Sequence, residues 1–365
     1  MLYSISTSNA LRQFAWERTL YMDVLKQSFF AQRLVGDALN GFVARGEEFK
    51  SSPDDILYVK TNLEANGPNG VKKGDRIYFG LVPRIDPATY PGVVSGQTLE
   101  GKEVAMSDYS FYVDLERYRQ AVSAGTPIDW HRASFPVPET SRRALLTWGA
   151  EKIDKLCFDA LDATTYAYVF YKTADTSPAY YLNTATAATA KSALTAAGSL
   201  LTPDFLSYVK AIAKTGDSRS WWPVRPVMVD GKPYFVYITH PKALFDIKRN
   251  STMQQALREA ETRGKENPIF NGATLIWDGI VVHENENCYI AADAGAGGDV
   301  EWATGYFLGA QALCWAWGER PTIDEYTRDA KEELYHRWAM TSKVGKPYFH
   351  SFYYGSVLVY TSRSI

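Results

Sequence analysis

The sequence predicts an α+β fold. Three observations carry that reading: a long helical segment opening at Pro138-Glu139, short apolar runs closed by tight-turn dipeptides such as Asp278-Gly279, and no regular strand–helix–strand rhythm of the kind a parallel sheet requires. At 365 residues the chain has room for roughly two domains of the usual ~150 residues.

Ser8 is placed to cap a helix in which Leu11, Phe14, Tyr21, Val24 and Leu25 recur at helical spacing, running to about Leu34. Standing before any obvious core, this amphipathic segment reads as an arm that packs on something else. Residues 47–69 are polar and punctuated by Gly, Asn and Pro, hence mostly loop. Residues 75–82 and 106–115 then read as strands. In the second, Tyr109, Phe111, Val113 and Leu115 alternate with more polar partners, so one face is covered. Pro83, Pro87, Pro91, Gly92 and Gly96 turn and stiffen the loop between them. The expectation is a long antiparallel arm, each strand on the order of 30 Å. An isolated two-stranded ribbon is marginal in water, so it should need a partner surface. An ordinary internal hairpin is the other reading of the same residues.

Pro138-Glu139 opens the best helix. Proline is tolerated in the first turn, and the acidic residue complements the N-terminal dipole. Leu145, Trp148, Ile153, Leu156 and Ala160 line one side, with Arg142, Arg143, Glu151, Lys155 and Asp159 on wetter sides. A run to Asp162 would span roughly 37 Å, the length of a spine. Residues 184–198 are Ala/Thr-rich, open to a surface helix or a mobile insertion. A short amphipathic helix follows over 203–214, then a strand–Asp230-Gly231–strand unit whose second strand, over 234–239, stops at Pro241. Helices are expected over 241–249 and 251–263. Asp278-Gly279 supplies the two positive-φ positions of a type I′ hairpin between apolar strands. Residues 294–298 form a loop, 305–313 a strand, and the chain after Trp317 is strand-like again, closing on a last strand over 355–360.

Composition excludes several classes. The chain carries 39 basic and 41 acidic residues, and no Lys/Arg run exceeds two, so no electrostatic footprint of a nucleic-acid-binding domain is present. The three cysteines, Cys157, Cys288 and Cys314, form no C-x-x-C and read as buried, reduced thiols. Residues 1–6 lack the features of a signal peptide, and no run approaches the ~20 apolar residues of a membrane helix. The expectation is a soluble protein made in the cytoplasm, with no membrane partner. Aromatic content of 14% suits interfaces as well as cores.

Signals for catalysis fall short. His283-Glu284 begins like a zinc helix, but the second His is missing and the segment ends a strand; Cys288 completes nothing. Gly92–Gly96 has the wrong spacing for a nucleophile elbow, residues 67–73 lack the G-K-[ST] of a phosphate loop, and Gly295-Ala296-Gly297 lacks the third fingerprint glycine. Acidic pairs such as Glu47-Glu48, Asp54-Asp55 and Glu332-Glu333 read as solvated surface. Trp221-Trp222-Pro223 reads either as a carbohydrate or partner platform or as a core plug. No catalytic, cofactor-binding or metal-binding residue is predicted, and no cofactor.

Five short motifs occur in a characteristic order: Lys26-Gln27-Ser28-Phe29-Phe30, Leu99-Glu100-Gly101, the helix from Leu145 to Asp154, Asn267-Pro268-Ile269-Phe270-Asn271-Gly272, and Phe307-Leu308-Gly309-Ala310-Gln311-Ala312. Each alone is weak. Together they resemble the major capsid proteins of tailed bacteriophages, in the branch typified by coliphage N-four. The resemblance covers most of the chain, though residues 184–198 have no counterpart in it. It implies the tailed-phage capsid fold of the Hong Kong phage type: an N-terminal arm (1–70), an extended β-hairpin loop (71–125), a peripheral domain with a spine helix (126–215), an axial domain (216–318) and C-terminal strands returning to the peripheral domain (319–365). It further implies a structural, non-enzymatic protein that assembles with itself, as hexamers and pentamers, into an icosahedral virion shell around double-stranded DNA. Scaffolding, portal and decoration proteins are the other partners it brings into view, with assembly in the host bacterial cytoplasm. Some capsids of this fold carry Lys–Asn cross-links; Lys102 lies near the loop but has no identifiable partner, so none is expected. The alternative from the same fold is the shell of a non-viral nanocompartment. An enzyme with a scattered site, or a tail protein binding carbohydrate through Trp221-Trp222, are the readings from other classes.

Overall fold

A computed structural model describes residues 27–30, 43–45, 56–61, 76–83, 85, 90–105, 108–163, 168–172, 179–183, 187–215, 222–229, 232–255, 275–329 and 332–364. Most of the expected N-terminal helix, Trp221, the C-terminal part of the helix expected over 251–263 and the motif at 267–272 lie outside these.

The predicted spine is helix α2 (Val137–Asp162), preceded by the short α1 (Pro127–Arg132). Its 26 residues make it about 39 Å long. Leu145, Ala150, Ile153, Cys157, Phe158 and Leu161 are buried along one stripe, while Arg143, Glu151, Lys155 and Asp159 are exposed. Two sheets share this stripe.

The first sheet has four strands in the order β1 (Val43–Arg45), β14 (Leu313–Arg328), β15 (Glu333–Gly345), β5 (Glu116–Ser123), all antiparallel except β1 with β14. Trp338 on β15 is fully buried under α2, its ring 5.1 Å from Trp148. Gly149 lies so close to that indole that any Cβ there would sit 2.6 Å from Trp338 Nε1.

The second sheet holds nine strands. Its main path runs β10 (Leu275–Trp277), β11 (Ile280–Glu284), β9 (Lys232–Thr239), β13 (Val300–Leu308), β18 (Ser356–Ser362), β6 (Tyr168–Lys172), β7 (Ala179–Asn183); β12 (Ile290–Ala294) pairs with β13, and β8 (Val227–Val229) with β9. Alternation along its central strands sends Val236, Ile238, Tyr306, Leu308, Leu358 and Tyr360 toward α2. Phe235, Tyr237, Phe307, Val357 and Val359 point the other way. That second face is covered by α4 (Pro203–Thr215) and α5 (Pro241–Arg249), whose Phe205, Leu206, Val209, Leu244 and Ile247 are buried. With both faces covered, these strands are nearly continuous apolar runs.

A three-stranded antiparallel ribbon, β2 (Ile56–Thr61), β3 (Arg76–Leu81) and β4 (Tyr109–Asp114), leans on the start of β14 and on the small β16 (Tyr348–Phe349)–β17 (Phe352–Tyr353) hairpin. Here the structure corrects two expectations. Residues 56–61, read as loop, form a strand through the short run Ile56-Leu57-Tyr58-Val59. The strands β3 and β4 have six residues each, about 20 Å rather than 30 Å. They are not free-standing, because Ile77, Phe79, Leu81 and Val113 are buried against Cys314, Ala316, Phe349 and Tyr354. One further element differs. The strand expected over 305–313 ends at Leu308, and residues 309–312 cross from one sheet to the other with Gln311 at φ 57°. The Ala/Thr-rich segment forms a short helix, α3 (Ala187–Ser192), followed by a turn whose Leu194 enters the main core.

The Asp278-Gly279 hairpin is as predicted. Trp277 pairs with Ile280, and φ is 47° at Asp278 and 73° at Gly279, the signature of type I′. Lys210 on α4 donates to the Asp278 carboxylate at 2.8 Å. A Cβ at position 279 would meet Pro233 O at 3.3 Å, so the chief penalty of substitution is the left-handed backbone. Gly279→Val is expected to cost ~1–3 kcal/mol. Thermal melting checks this, and an unchanged midpoint would contradict it.

Candidate assembly surfaces

The described residues of the connection between β3 and β4 are mostly exposed. Among the described residues from 82 to 108 there is no strand. Its described backbone forms local turns, Gln97 N–H to Val94 O at 3.1 Å and Lys102 N–H to Leu99 O at 2.9 Å, with Gly101 N–H donating to Glu103 at 2.8 Å. Four large apolar side chains stand out of it: Ile85 and Tyr90 at 50% exposure, Leu99 at 59% and Val94 at 71%. Scattered apolar residues on a surface are ordinary, but four on one connection make it a candidate contact surface. At its base, Arg76 donates to Asp114 at 2.6 Å and lies over the Tyr112 ring at 4.6 Å.

A second exposed apolar group sits on and beside α1, where Ile128, Trp130 and Phe135 are exposed. The turn entering this helix is fixed by Asp129, which accepts from the Thr126 N–H at 3.0 Å and hydroxyl at 2.7 Å. Nearby, β14 and β15 run out as a long hairpin. Tyr326 and Tyr335 stack across it at 5.2 Å, with the Arg328 guanidinium 5.1 Å over the Tyr335 ring.

At the middle of α2, Asp154 is buried and takes three hydrogen bonds from the N-terminal segment. Ser28 Oγ and Phe30 N–H donate to Oδ1 at 2.7 and 3.1 Å, and Phe29 N–H donates to Oδ2 at 2.9 Å. Burial pushes the Asp154 carboxyl up, and these donors pull it back only in part. Sequence reasoning did not single this residue out. Its signal was an acidic residue on the apolar stripe, one position after Ile153 and three before Cys157.

The residues weighed for chemistry are dispersed. His283 is buried in β11 with its ring edge-on to Phe29 at 5.7 Å. Cys288 is buried, and burial raises its thiol far above the usual range. Among the described residues, no group of three or more His, Cys, Asp or Glu could hold a metal ion. Trp222 is a plug: its indole N–H donates to Phe349 O at 3.2 Å, and its ring packs beside Tyr109 at 6.0 Å. A cleft of about 740 Å³ between α2 and the β11–β12 connection is lined largely by polar and charged groups, among them Glu151, Asp159, Asn285 and Glu286. No helix among the described residues is long and apolar enough to cross a membrane.

Lys346, after β15, is buried with its ammonium 4.5 Å over the Tyr353 ring. Burial pulls it down to about 7, against the opposing pull of Asp162. In the window from about 7 to the ordinary 10.5 the unfolded chain holds this proton and the folded chain does not, so the residue's contribution to stability rises with pH. Relative to Lys346→Met, the wild-type subunit is expected to gain on the order of 2 kcal/mol between pH 7 and pH 9. Denaturant titrations of both proteins at the two pH values check this; parallel pH profiles would contradict it.

The phage capsid protein family model matches residues 4–337. The major capsid protein of Pseudomonas phage KPP25 is 30% identical over 275 residues, covering 67% of this chain and 70% of that protein. The capsid of Ralstonia phage GP4 superposes with a TM-score of 0.69 at 23% identity, over 93% of this chain and 92% of that one. The capsid asymmetric unit of cyanophage Pam1 gives 0.69 at 18% identity, over 93% of each. The fold is therefore that of tailed-phage capsids. From the sequence matches it follows that the chain belongs to the phage capsid protein family, as a structural major capsid protein and not an enzyme.

Proposed function

We propose that this capsid subunit is of the coliphage N-four-like branch. It builds an icosahedral head from hexamers and pentamers of itself, with scaffolding, portal and decoration proteins as further partners. Assembly takes place in the host cytoplasm, and the finished shell encloses double-stranded DNA. The observation that carries this reading is the β3–β4 projection, which leaves Tyr90, Val94 and Leu99 half or more exposed while the strands at its base are packed into a core. In the proposed division, residues 1–70 are the N-terminal arm, 71–125 the extended loop, 126–215 the peripheral domain, 216–318 the axial domain, and 319–365 strands that return to the peripheral domain.

Such projections gain their buried area only on neighbours, so association stabilises the ordered subunit. A near-neutral charge balance, 39 basic against 41 acidic residues, supports enclosure of DNA without dense phosphate contacts. Shell interfaces of this kind should bury on the order of 2,000 Å² or more per subunit. Electron microscopy of the purified protein, alone and with its scaffold, tests the reading. Closed shells are expected. Open sheets or unassociated subunits under both conditions would overturn it.

A further inference from the structure

We infer that Asp154 is a positioning residue for assembly: its carboxylate clamps residues 28–30 to the middle of the spine helix and thereby sets where the N-terminal arm leaves the body. The inference rests on the assignment of residues 1–70 as an arm that reaches a neighbour. Three donors converge on two oxygens of a buried side chain, and the donors come from residues 124–126 positions away. Apolar contacts hold the same segment from both sides. Phe30 is fully buried with its ring edge-on to Phe158 at 5.0 Å, one turn along α2, and Phe29 lies against His283 on β11. The segment is thus wedged between the spine and the nine-stranded sheet. An arm emerging from a fixed wedge has a defined starting direction, which an arm tethered by a loop lacks.

The geometry is specific to a carboxylate. Ser28 Oγ and Phe30 N–H share one oxygen while Phe29 N–H takes the other, so both oxygens must accept. An asparagine would offer one acceptor and turn an NH₂ toward a donor. Asp154→Asn should therefore behave like Asp154→Ala and not like the wild type.

The test uses the full chain and three variants: Asp154→Asn, Asp154→Ala and Ser28→Ala. In the unassembled subunit, tryptic cleavage after Lys26, beside the clamp, is expected to accelerate about tenfold or more in both Asp154 variants. Ser28→Ala should show a smaller acceleration. All three should keep a cooperative melt of the body, and shell yield by electron microscopy should fall in the order of cleavage. Wild-type cleavage rates in Asp154→Asn would overturn the clamp. Accelerated cleavage with full shell yield would overturn its role in assembly. If the Asp154 variants do not fold, Ser28→Ala decides alone, and unchanged cleavage there overturns the inference. A wild-type protein that forms no shells at all would instead remove the arm assignment, while the cleavage rates would still report on the clamp.

Discussion

Gly355→Ala is expected to be among the most damaging single substitutions in the chain. Gly355 enters β18 at φ +72°, where a side chain is strained by about 1–2 kcal/mol. The space is also closed. A Cβ would lie 2.8 Å from Ala310 O, Gln311 O and the Ala312 Cα, all backbone of the crossing between the two sheets. Backbone cannot swing aside as a side-chain tip can, and the Gly355 carbonyl itself accepts from the Gly309 N–H at 2.8 Å. Overpacking adds roughly 1–3 kcal/mol, so the sum is a large share of a typical folding stability of ~5–15 kcal/mol. We expect little soluble protein, or a melting point lower by on the order of 3–7 °C. Gly298→Ala is the control, since Gly298 has φ +71° but nothing within 4 Å of its Cβ direction. Equal effects at the two positions would show that crowding at the crossing is unimportant.

Replacing residues 84–98 with a short Gly-Ser turn is expected to separate folding from assembly. The described residues of this segment make no core contacts, and Ile85, Tyr90 and Val94 are half or more exposed, so the body should lose almost no buried area. The strands at its base keep their own buried contacts. A normal circular-dichroism spectrum and a cooperative melt should therefore accompany loss of shells by electron microscopy. Full-strength shells would return the projection to the role of an ordinary internal hairpin. Failure to fold would mean that the segment belongs to the core.

Much of this architecture was legible because its signals are local. The Asp278-Gly279 turn is dictated by two adjacent residues, and α2 by apolar spacing repeated over about four turns from Leu145 to Ala160. That β14 runs on as one strand through Trp317 was not legible, because Gly318 and Pro321 break its pattern. In the structure both fall at register shifts against β15, where a proline costs no ladder bond. The strand β2 was too short to stand out from its polar surroundings. Among the contact surfaces, the proline-rich projection could be located but its apolar character could not: Ile85, Tyr90, Val94 and Leu99 are spaced too irregularly to form a pattern. The Asp154 clamp depends on a contact across more than 120 residues, which no local periodicity reports.

Sedimentation velocity of the purified wild-type protein under assembly conditions tests the central claim most directly. The account predicts fast, discrete boundaries of closed particles containing many copies of the 40.9 kDa chain, with capsomers as the slower species. A single boundary at 40.9 kDa at every concentration, with and without scaffold, would contradict it.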